Sequence, residues 1–354
     1  MVYLLTIVIA VAMITVTLSA IARTIYVYRG SQDEVHFART EDGYEVALYR
    51  YRPENLVSGR EPVIVCHGLG SNRFSFDPGP LPSLARYLKA KGLDVWTLDL
   101  RGRGLSSRPD RDRGGRLKWG WTFDHYVKYD LPAAIRLVRR ETGYPQVNWI
   151  GHSMGGMVMY AYLQTQDVSL IKSATALGSP ATFVNNKIGK PIGRLLGPLF
   201  LQRFHRLHLK PTARALALFG YFLPLGRFGT PRNLYPWFGT LAAESPSTGV
   251  LGQFHDWVTN STFRSADHSY RYDEGFPKIK TPFMVISASG DFIASPSDVR
   301  YGIDNMTGPD RKYAFFSKKD GNLENYDHMT MLVSQSAAIE IYPVIHDWLM
   351  KHSG

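Results

Sequence analysis

Cysteine is almost absent from this chain of 354 residues, in which Cys66 stands alone. A single cysteine excludes an intramolecular disulfide, and it is compatible with a reducing compartment. The histidines show none of the paired spacings that are typical of metal ligands, and the sequence contains no internal repeat or low-complexity run. We therefore expect neither a metal nor a cofactor. The length fits one large α/β domain with an insertion.

Acidic residues are also few, and the formal net charge is +11. No Asp or Glu lies between Asp167 and Glu244. Such a charge indicates acidic partners, which are either anionic lipid surfaces or nucleic acid. The N-terminal segment and the serine motif described below favour a lipid surface and give no reason to expect nucleic-acid binding. The basic residues of this interval are Lys172, Lys187, Lys190, Arg194, Arg203, Arg206, Lys210, Arg214, Arg227 and Arg232.

Charged residues are missing altogether from residues 2–22, an apolar run that would span about 31 Å as a helix. This length matches the hydrocarbon thickness of a bilayer. Arg23 and Arg29 follow the run, with Tyr26 and Tyr28 at positions suited to a membrane interface. The segment therefore predicts a single-pass transmembrane helix.

A cleaved signal peptide is the alternative for this N-terminal run, because Ala-Ile-Ala at 20–22 resembles a cleavage site. The missing basic n-region and the length of the apolar run favour an uncleaved anchor. We accordingly assign residues 1–30 to an anchor and juxtamembrane segment. Because the positive charges lie only on its C-terminal flank, we expect the catalytic domain on the cytoplasmic side.

A serine stands between two glycines in the motif Gly-His-Ser-Met-Gly at residues 151–155. An apolar, strand-like run at 147–150 precedes the motif, and a helical run at 156–163 follows it. A Gly-x-Ser-x-Gly turn between a strand and a helix is typical of a nucleophile elbow, which exposes the serine hydroxyl at the edge of a sheet. The sequence thus predicts acyl-transfer chemistry with Ser153 as the nucleophile.

The serine needs a base and an acid, which follow it along the chain in this arrangement. His328 lies in a polar loop after the last strand-like run, where the base is expected. Asp291 follows the preceding strand-like run, at the position expected of the acid that orients the imidazole. Asp298 and Asp327 remain alternatives for this acid.

Two backbone N–H groups are expected to stabilise the tetrahedral intermediate. One should belong to Met154, and the other to Leu69 in the His-Gly-Leu-Gly loop that follows the strand at 62–66. We interpret His67 in this loop as a structural residue and not as a second base. The Gly-rich loop at 99–106 lacks the Gly-Lys-Ser/Thr of a P-loop, so we interpret it as a tight turn near the mouth of the site.

Strand-like and helical runs alternate from residue 62 to residue 177, which predicts a mostly parallel sheet covered on both faces. The alternation stops between 180 and 277, and this insertion is predicted to be a helical cap over the site. The core then comprises residues 31–179 and 278–354. Aromatic residues of the cap are candidates for an acyl tunnel: Phe200, Phe204, Phe219, Tyr221, Phe222, Phe228, Tyr235, Trp237 and Phe238.

The motifs together resemble α/β-hydrolases, and more narrowly the gastric and lysosomal acid lipase group. The resemblance extends from about residue 34 to residue 350. It implies an α/β-hydrolase fold and hydrolysis of lipid esters at an interface, with Ser153, Asp291 and His328 as the triad and Leu69 and Met154 as oxyanion donors. The matching segments are 62–69, 92–96, 121–133, 151–155, 289–291 and 327–328, of which 121–133 is the most specific.

The chain departs from that group at three places. Met154 stands where the group usually has Gln, although only its backbone is needed. The Arg-Gly-Arg-Gly loop at 101–104 resembles monoacylglycerol-lipase-type hydrolases and simple esterases. The predicted anchor and the basic cap are not typical of the secreted members.

The sequence therefore predicts a membrane-anchored serine hydrolase that cleaves carboxylic esters, in particular lipid acyl esters. An acyltransferase using the same triad is the main alternative. A thioesterase and a catalytically silent membrane interaction module are weaker ones. The expected partners are a lipid-like ester, the membrane at residues 2–22, and an anionic lipid surface facing the cap.

Overall fold

One sheet of eight strands forms the centre of the structure. This computed structural model describes residues 2–112, 114–185, 214–215 and 234–353. The strands are β1 (Glu34–Arg39), β2 (Glu45–Tyr51), β3 (Val63–Cys66), β4 (Val95–Asp99), β5 (Val147–His152), β6 (Ile171–Leu177), β7 (Phe283–Ala288) and β8 (Arg311–Phe316). Their order in the sheet is β1-β2-β4-β3-β5-β6-β7-β8. Only β2 runs antiparallel to its neighbours, which are β1 and β4, so the prediction of a mostly parallel sheet is confirmed.

Helices connect the strands, as the alternation of the sequence predicts. The described α-helices are α1 (Val2–Ile25), α2 (Leu84–Ala90), α3 (Phe123–His125), α4 (Leu131–Thr142), α5 (Met154–Thr165), α6 (Leu234–Leu241), α7 (Thr248–Asn260), α8 (Pro296–Asn305), α9 (Thr330–Val333) and α10 (Gln335–His352). A π-helical turn (Tyr126–Asp130) separates α3 from α4. Pro132 cannot donate a backbone hydrogen bond to the preceding turn, which accounts for the irregularity at this point.

The amphipathic pattern over about 331–350 predicts one long helix, but the structure has two helices there, α9 and α10. Ser334 ends α9 and caps α10, and its hydroxyl accepts a hydrogen bond from the Ala337 N–H at 3.0 Å. A serine at an N-cap satisfies a free backbone donor of the next helix. The break turns the chain immediately after the loop that carries His328.

Both faces of the sheet are covered by apolar residues. Along β3, Val63 and Val65 belong to one core while Ile64 and Cys66 belong to the other, and all four are buried. Strands buried on both faces are typical of parallel sheets between helices. Since β3 to β8 point the same way, the loops at their carboxyl ends meet at one edge of the sheet.

The Arg-Gly-Arg-Gly loop is held by a buried ion-pair cluster. The guanidinium of Arg101 is fully buried and contacts the carboxylates of Asp130 and Asp42, with N to O distances of 2.7 and 2.5 Å. Gly104 has a φ of +43°, and a Cβ there would lie 1.7 Å from the Asp99 carboxylate, so no larger residue fits. These contacts agree with the interpretation of the loop as a tight turn.

Helix α1 occupies the segment where the sequence predicts an apolar helix. No helix among the described residues is long and apolar enough to cross a membrane, so the predicted transmembrane helix over 2–22 is not supported. The C-terminal part of α1 packs on protein: Ser19 and Ala22 are buried. Beyond the helix, the Tyr26 ring meets Trp237 of α6 edge-on, with centroids 5.2 Å apart.

Candidate active site

Ser153 lies in the sharp turn between β5 and α5, as predicted. Its backbone has φ 52° and ψ −120°, a conformation that is rare for residues other than glycine. The neighbouring glycines permit the turn, because a Cβ on Gly155 would lie 2.1 Å from the Cys66 carbonyl oxygen and one on Gly151 would lie 2.2 Å from Gly155. The geometry is that of a nucleophile elbow, with the N-terminus of α5 beside the serine.

His328 and Asp291 come together at the same edge of the sheet. The imidazole Nδ1 of His328 lies 2.7 Å from Oδ2 of Asp291, and both side chains are buried. The other carboxylate oxygen of Asp291 accepts hydrogen bonds from the N–H groups of Ile293 and Ala294, at 3.0 and 2.8 Å. These two donors fix the carboxylate, so that one oxygen faces the imidazole.

The two rival acids have other partners. Asp298 lies in α8 and accepts hydrogen bonds from the backbone and the side-chain amide of Asn185, both at 3.1 Å. Asp327 accepts from the N–H groups of Met329 and Thr330, both at 2.8 Å, and so caps the start of α9. Of the three candidates, the geometry therefore favours Asp291 as the acid.

The loop with the predicted oxyanion donor Leu69 lies directly against the serine. A Cβ on Gly68 would be 3.0 Å from the Ser153 Cβ. The His67 ring receives a hydrogen bond from the Leu100 N–H at Nε2, at 3.3 Å, so the proton is assigned to Nδ1, which donates to the Gly68 carbonyl at 2.9 Å. A trans peptide points its C=O and N–H in opposite directions, so this bond fixes the direction of the Leu69 N–H.

The predicted oxyanion donors Leu69 and Met154 thus occupy suitable elements. Met154 is the first residue of α5, directly after the serine, and its N–H belongs to the free end of that helix. Leu69 lines the same cavity as Ser153. His67 has the structural role that we expected of it.

A cavity of about 440 Å³ contains both Ser153 and His328. Its walls are apolar, and helices α6 and α7 of the predicted cap contribute Phe238, Phe254 and Val258. Most of the aromatic and basic residues predicted for the cap, between 186 and 233, lie outside the described residues. The other apolar lining residues are Leu69, Pro180, Phe183, Ala243, Ile293, Ala294 and Met329.

His152 is the residue of this site that the sequence does not reveal. It precedes the serine, lines the cavity and lies with its ring centroid 4.5 Å from that of His328. Burial, and the neighbouring His328 to a lesser degree, hold the pKa of His152 well below its usual value. In the sequence, His152 occupies a position of the Gly-x-Ser-x-Gly motif that accepts any residue. Nothing in the local pattern indicates that it has a role in the site.

Burial of His67 is expected to make the protein less stable in acid. Burial lowers the pKa of His67 to about 3, with a smaller contribution from the charge of Arg103, although the hydrogen bond to Gly68 and the charge of Glu244 oppose the shift. In the unfolded chain the pKa is near 6.5, so between pH 6.5 and 3 only the unfolded state takes up this proton. The free energy of unfolding should therefore fall by about 2 kcal/mol between pH 7 and pH 5 on account of His67.

Denaturant unfolding at these two pH values measures this contribution. His67→Gln keeps a side-chain N–H but cannot take up a proton, so its loss of stability between pH 7 and pH 5 should be smaller than that of the wild type. Equal losses in the two proteins would show that His67 does not contribute to acid sensitivity.

Comparison with known proteins agrees with this fold. Residues 61–333 match the family model of the alpha/beta hydrolase fold. Human gastric triacylglycerol lipase is 34% identical over 364 residues, which cover 89% of this chain and 87% of that protein. Human lysosomal acid lipase/cholesteryl ester hydrolase is 30% identical over 203 residues, covering 54% of this chain and 51% of that protein. The crystal structure of Paleococcus ferrophilus monoacylglycerol lipase has a similar fold, with a TM-score of 0.56 at 17% identity, covering 86% of this chain and 99% of that one.

Proposed function

The chain belongs to the alpha/beta hydrolase fold family and is a carboxylic ester hydrolase, and we propose that it cleaves acyl esters of lipids with Ser153 as the nucleophile. The observation that carries this proposal is the apolar cavity shared by the serine elbow and the His328–Asp291 pair. An apolar wall suits a fatty acyl chain, and the triad elements suit ester cleavage. The relatives named as triacylglycerol lipase and cholesteryl ester hydrolase support the choice of a lipid ester.

The proposed reaction proceeds in two half-reactions. The Ser153 Oγ attacks the ester carbonyl carbon while His328 takes the hydroxyl proton, and the Leu69 and Met154 N–H groups bind the oxyanion. The bond to the alcohol oxygen then breaks, and His328 gives its proton to the leaving alcohol. Water attacks the acyl-serine, His328 takes one of its protons, and release of the carboxylic acid returns that proton to Ser153.

The proposal includes contact with a lipid surface through α1. Ile7, Val11 and Ile14 lie one helical turn apart on this helix, and all three are exposed. Other apolar residues of α1 are exposed on the opposite side as well, and a large apolar surface left in contact with water is typical of a site that binds a membrane or another protein. The basic residues of the predicted cap would then face anionic headgroups.

A series of nitrophenyl esters of increasing acyl length, measured with and without anionic vesicles, tests the proposal. We expect kcat/KM to rise about tenfold from acetate to butyrate, because each buried methylene contributes about 0.8 kcal/mol. We expect activity on a dispersed long-chain ester to rise further when vesicles are added. No hydrolysis of any ester by folded protein would refute the proposed function.

Two variants separate lipid contact from hydrolysis. Substituting glutamate for Ile7, Val11 and Ile14 together should abolish the response to vesicles and co-sedimentation with them. Leu105→Glu is the matched control, because Leu105 is similarly exposed but lies in the loop after β4. Equal loss in both proteins would show that α1 is not the lipid contact.

A further inference from the structure

The side chain of His152 fills the space between the two loops that serve Ser153. It is only 3% exposed and is the last residue of strand β5. A Cβ on Gly68, in the oxyanion loop, would lie 3.3 Å from the His152 Nδ1. On its other side, the His152 ring packs against the ring of His328, with centroids 4.5 Å apart at an angle of 48°.

The imidazole of His152 is bonded to the backbone of the catalytic base. Its Nε2 lies 2.9 Å from the main-chain carbonyl oxygen of His328. A carbonyl oxygen only accepts, so the proton of the neutral ring is assigned to Nε2, which donates this bond. The bond joins residues that are 176 positions apart in the chain.

A base that moves one proton between two oxygens must hold its ring in one place. The side chain of His328 is oriented through Nδ1 by Asp291, but this contact does not itself hold the main chain of the residue. The bond from His152 fixes the backbone of His328 relative to the residue next to the nucleophile. Together the two contacts hold the imidazole through Asp291 and the main chain of His328 through His152, the neighbour of the nucleophile.

We propose that His152 is a positioning residue, which places the catalytic base against the nucleophile through the main-chain carbonyl of His328. The inference rests on the proposed function, since it concerns the same triad. His152 itself transfers no proton in this scheme. Its ring stays neutral between the base and the oxyanion loop, where a second positive charge would oppose formation of the imidazolium on His328.

The test compares His152→Phe with His152→Gln. Phenylalanine keeps a ring of similar size but removes the donor, and we expect kcat to fall about 100-fold with little change in KM, as for a misplaced catalytic group. The side-chain amide of glutamine can reach the position of the imidazole Nε2, so His152→Gln should recover most of the lost kcat. Failure of glutamine to recover more activity than phenylalanine would overturn the proposal.

His125→Phe is the matched control for His152→Phe, because it also removes a hydrogen-bonded histidine. The His125 Nδ1 accepts a hydrogen bond from the Thr122 N–H at 3.1 Å, away from the triad. This variant should lower the Tm without lowering kcat.

If His152→Phe does not fold, His152→Gln and His152→Asn still test the proposal. The asparagine amide is one bond too short to reach the position of Nε2, so only glutamine should retain kcat, and equal kcat values would overturn the proposal.

A double-mutant cycle with His328→Ala separates positioning from a general structural role. If His152 acts through His328, adding His152→Phe to His328→Ala should change the residual activity less than twofold. A further loss of about 100-fold in this background would show that His152 acts independently of the base and would overturn the inference. Wild-type protein without any esterase activity would instead refute the proposed function itself.

Discussion

Replacing Ser153 with alanine is expected to lower kcat for ester hydrolysis by about 10⁶-fold. Alanine has no hydroxyl that could form the acyl intermediate, and His328 then has no nucleophile at position 153 to activate. Residual activity over the uncatalysed reaction should persist, because the oxyanion donors and the cavity remain. The measurement is single-turnover hydrolysis of a short ester, together with labelling by a fluorophosphonate, which should be lost completely.

The strained backbone of Ser153 supplies a control for folding. At a φ of 52° the serine stores strain of about 1–3 kcal/mol, and glycine adopts this conformation without the cost. Ser153→Gly should therefore be inactive like Ser153→Ala, yet more resistant to denaturant by about 1 kcal/mol. Full activity in a stable Ser153→Ala protein would require another nucleophile and would refute the assignment.

Replacing Asp291 with asparagine is expected to lower kcat by about 10⁴-fold. The N–H groups of Ile293 and Ala294 both donate to one oxygen of Asp291, so the amide oxygen of asparagine should take that side. Its NH₂ group then faces the His328 Nδ1 and forces the imidazole proton onto the other nitrogen. A base that already carries this proton cannot take the one on Ser153.

Asp298→Asn and Asp327→Asn are the controls for this assignment. Asp298 is hydrogen-bonded to Asn185, and Asp327 caps helix α9. We therefore expect each substitution to lower the stability of the protein and to change kcat less than tenfold. The pH dependence of kcat should be preserved in both. If Asp327→Asn lost as much activity as Asp291→Asn while remaining folded, Asp327 would be the acid.

Much of the fold could be predicted because its signals are local. The strand at 62–66 and the helix after the serine follow from apolar periodicity and turn residues over a few positions. The sequence does not reveal the break at Ser334, because the apolar pattern continues across it and a serine at an N-cap resembles an ordinary polar position. The pattern over 123–140 predicts one helix that is bent near Pro132, and it does not reveal the π turn.

The residues of the candidate site also differ in whether their signal in the sequence is local. Ser153 is visible in the sequence because its chemistry needs two glycines within a single turn. The sequence favours Asp291 as the acid, because it directly follows a predicted strand, but it leaves Asp298 and Asp327 as alternatives. Only their hydrogen-bond partners distinguish them, and those partners are set by how the loops after β7 and β8 fold against each other.

By itself the sequence determined the class of this protein: a parallel α/β sheet, a serine elbow and partners that follow it in the expected order. The tertiary structure alone decided which acid faces the imidazole and that His152 bonds to the carbonyl of His328. It also decided that the end of the apolar N-terminal helix packs on the protein. The physical reason is distance along the chain. Periodicity and turn chemistry act over a few residues, whereas burial and hydrogen bonding join residues that are far apart until the sheet assembles.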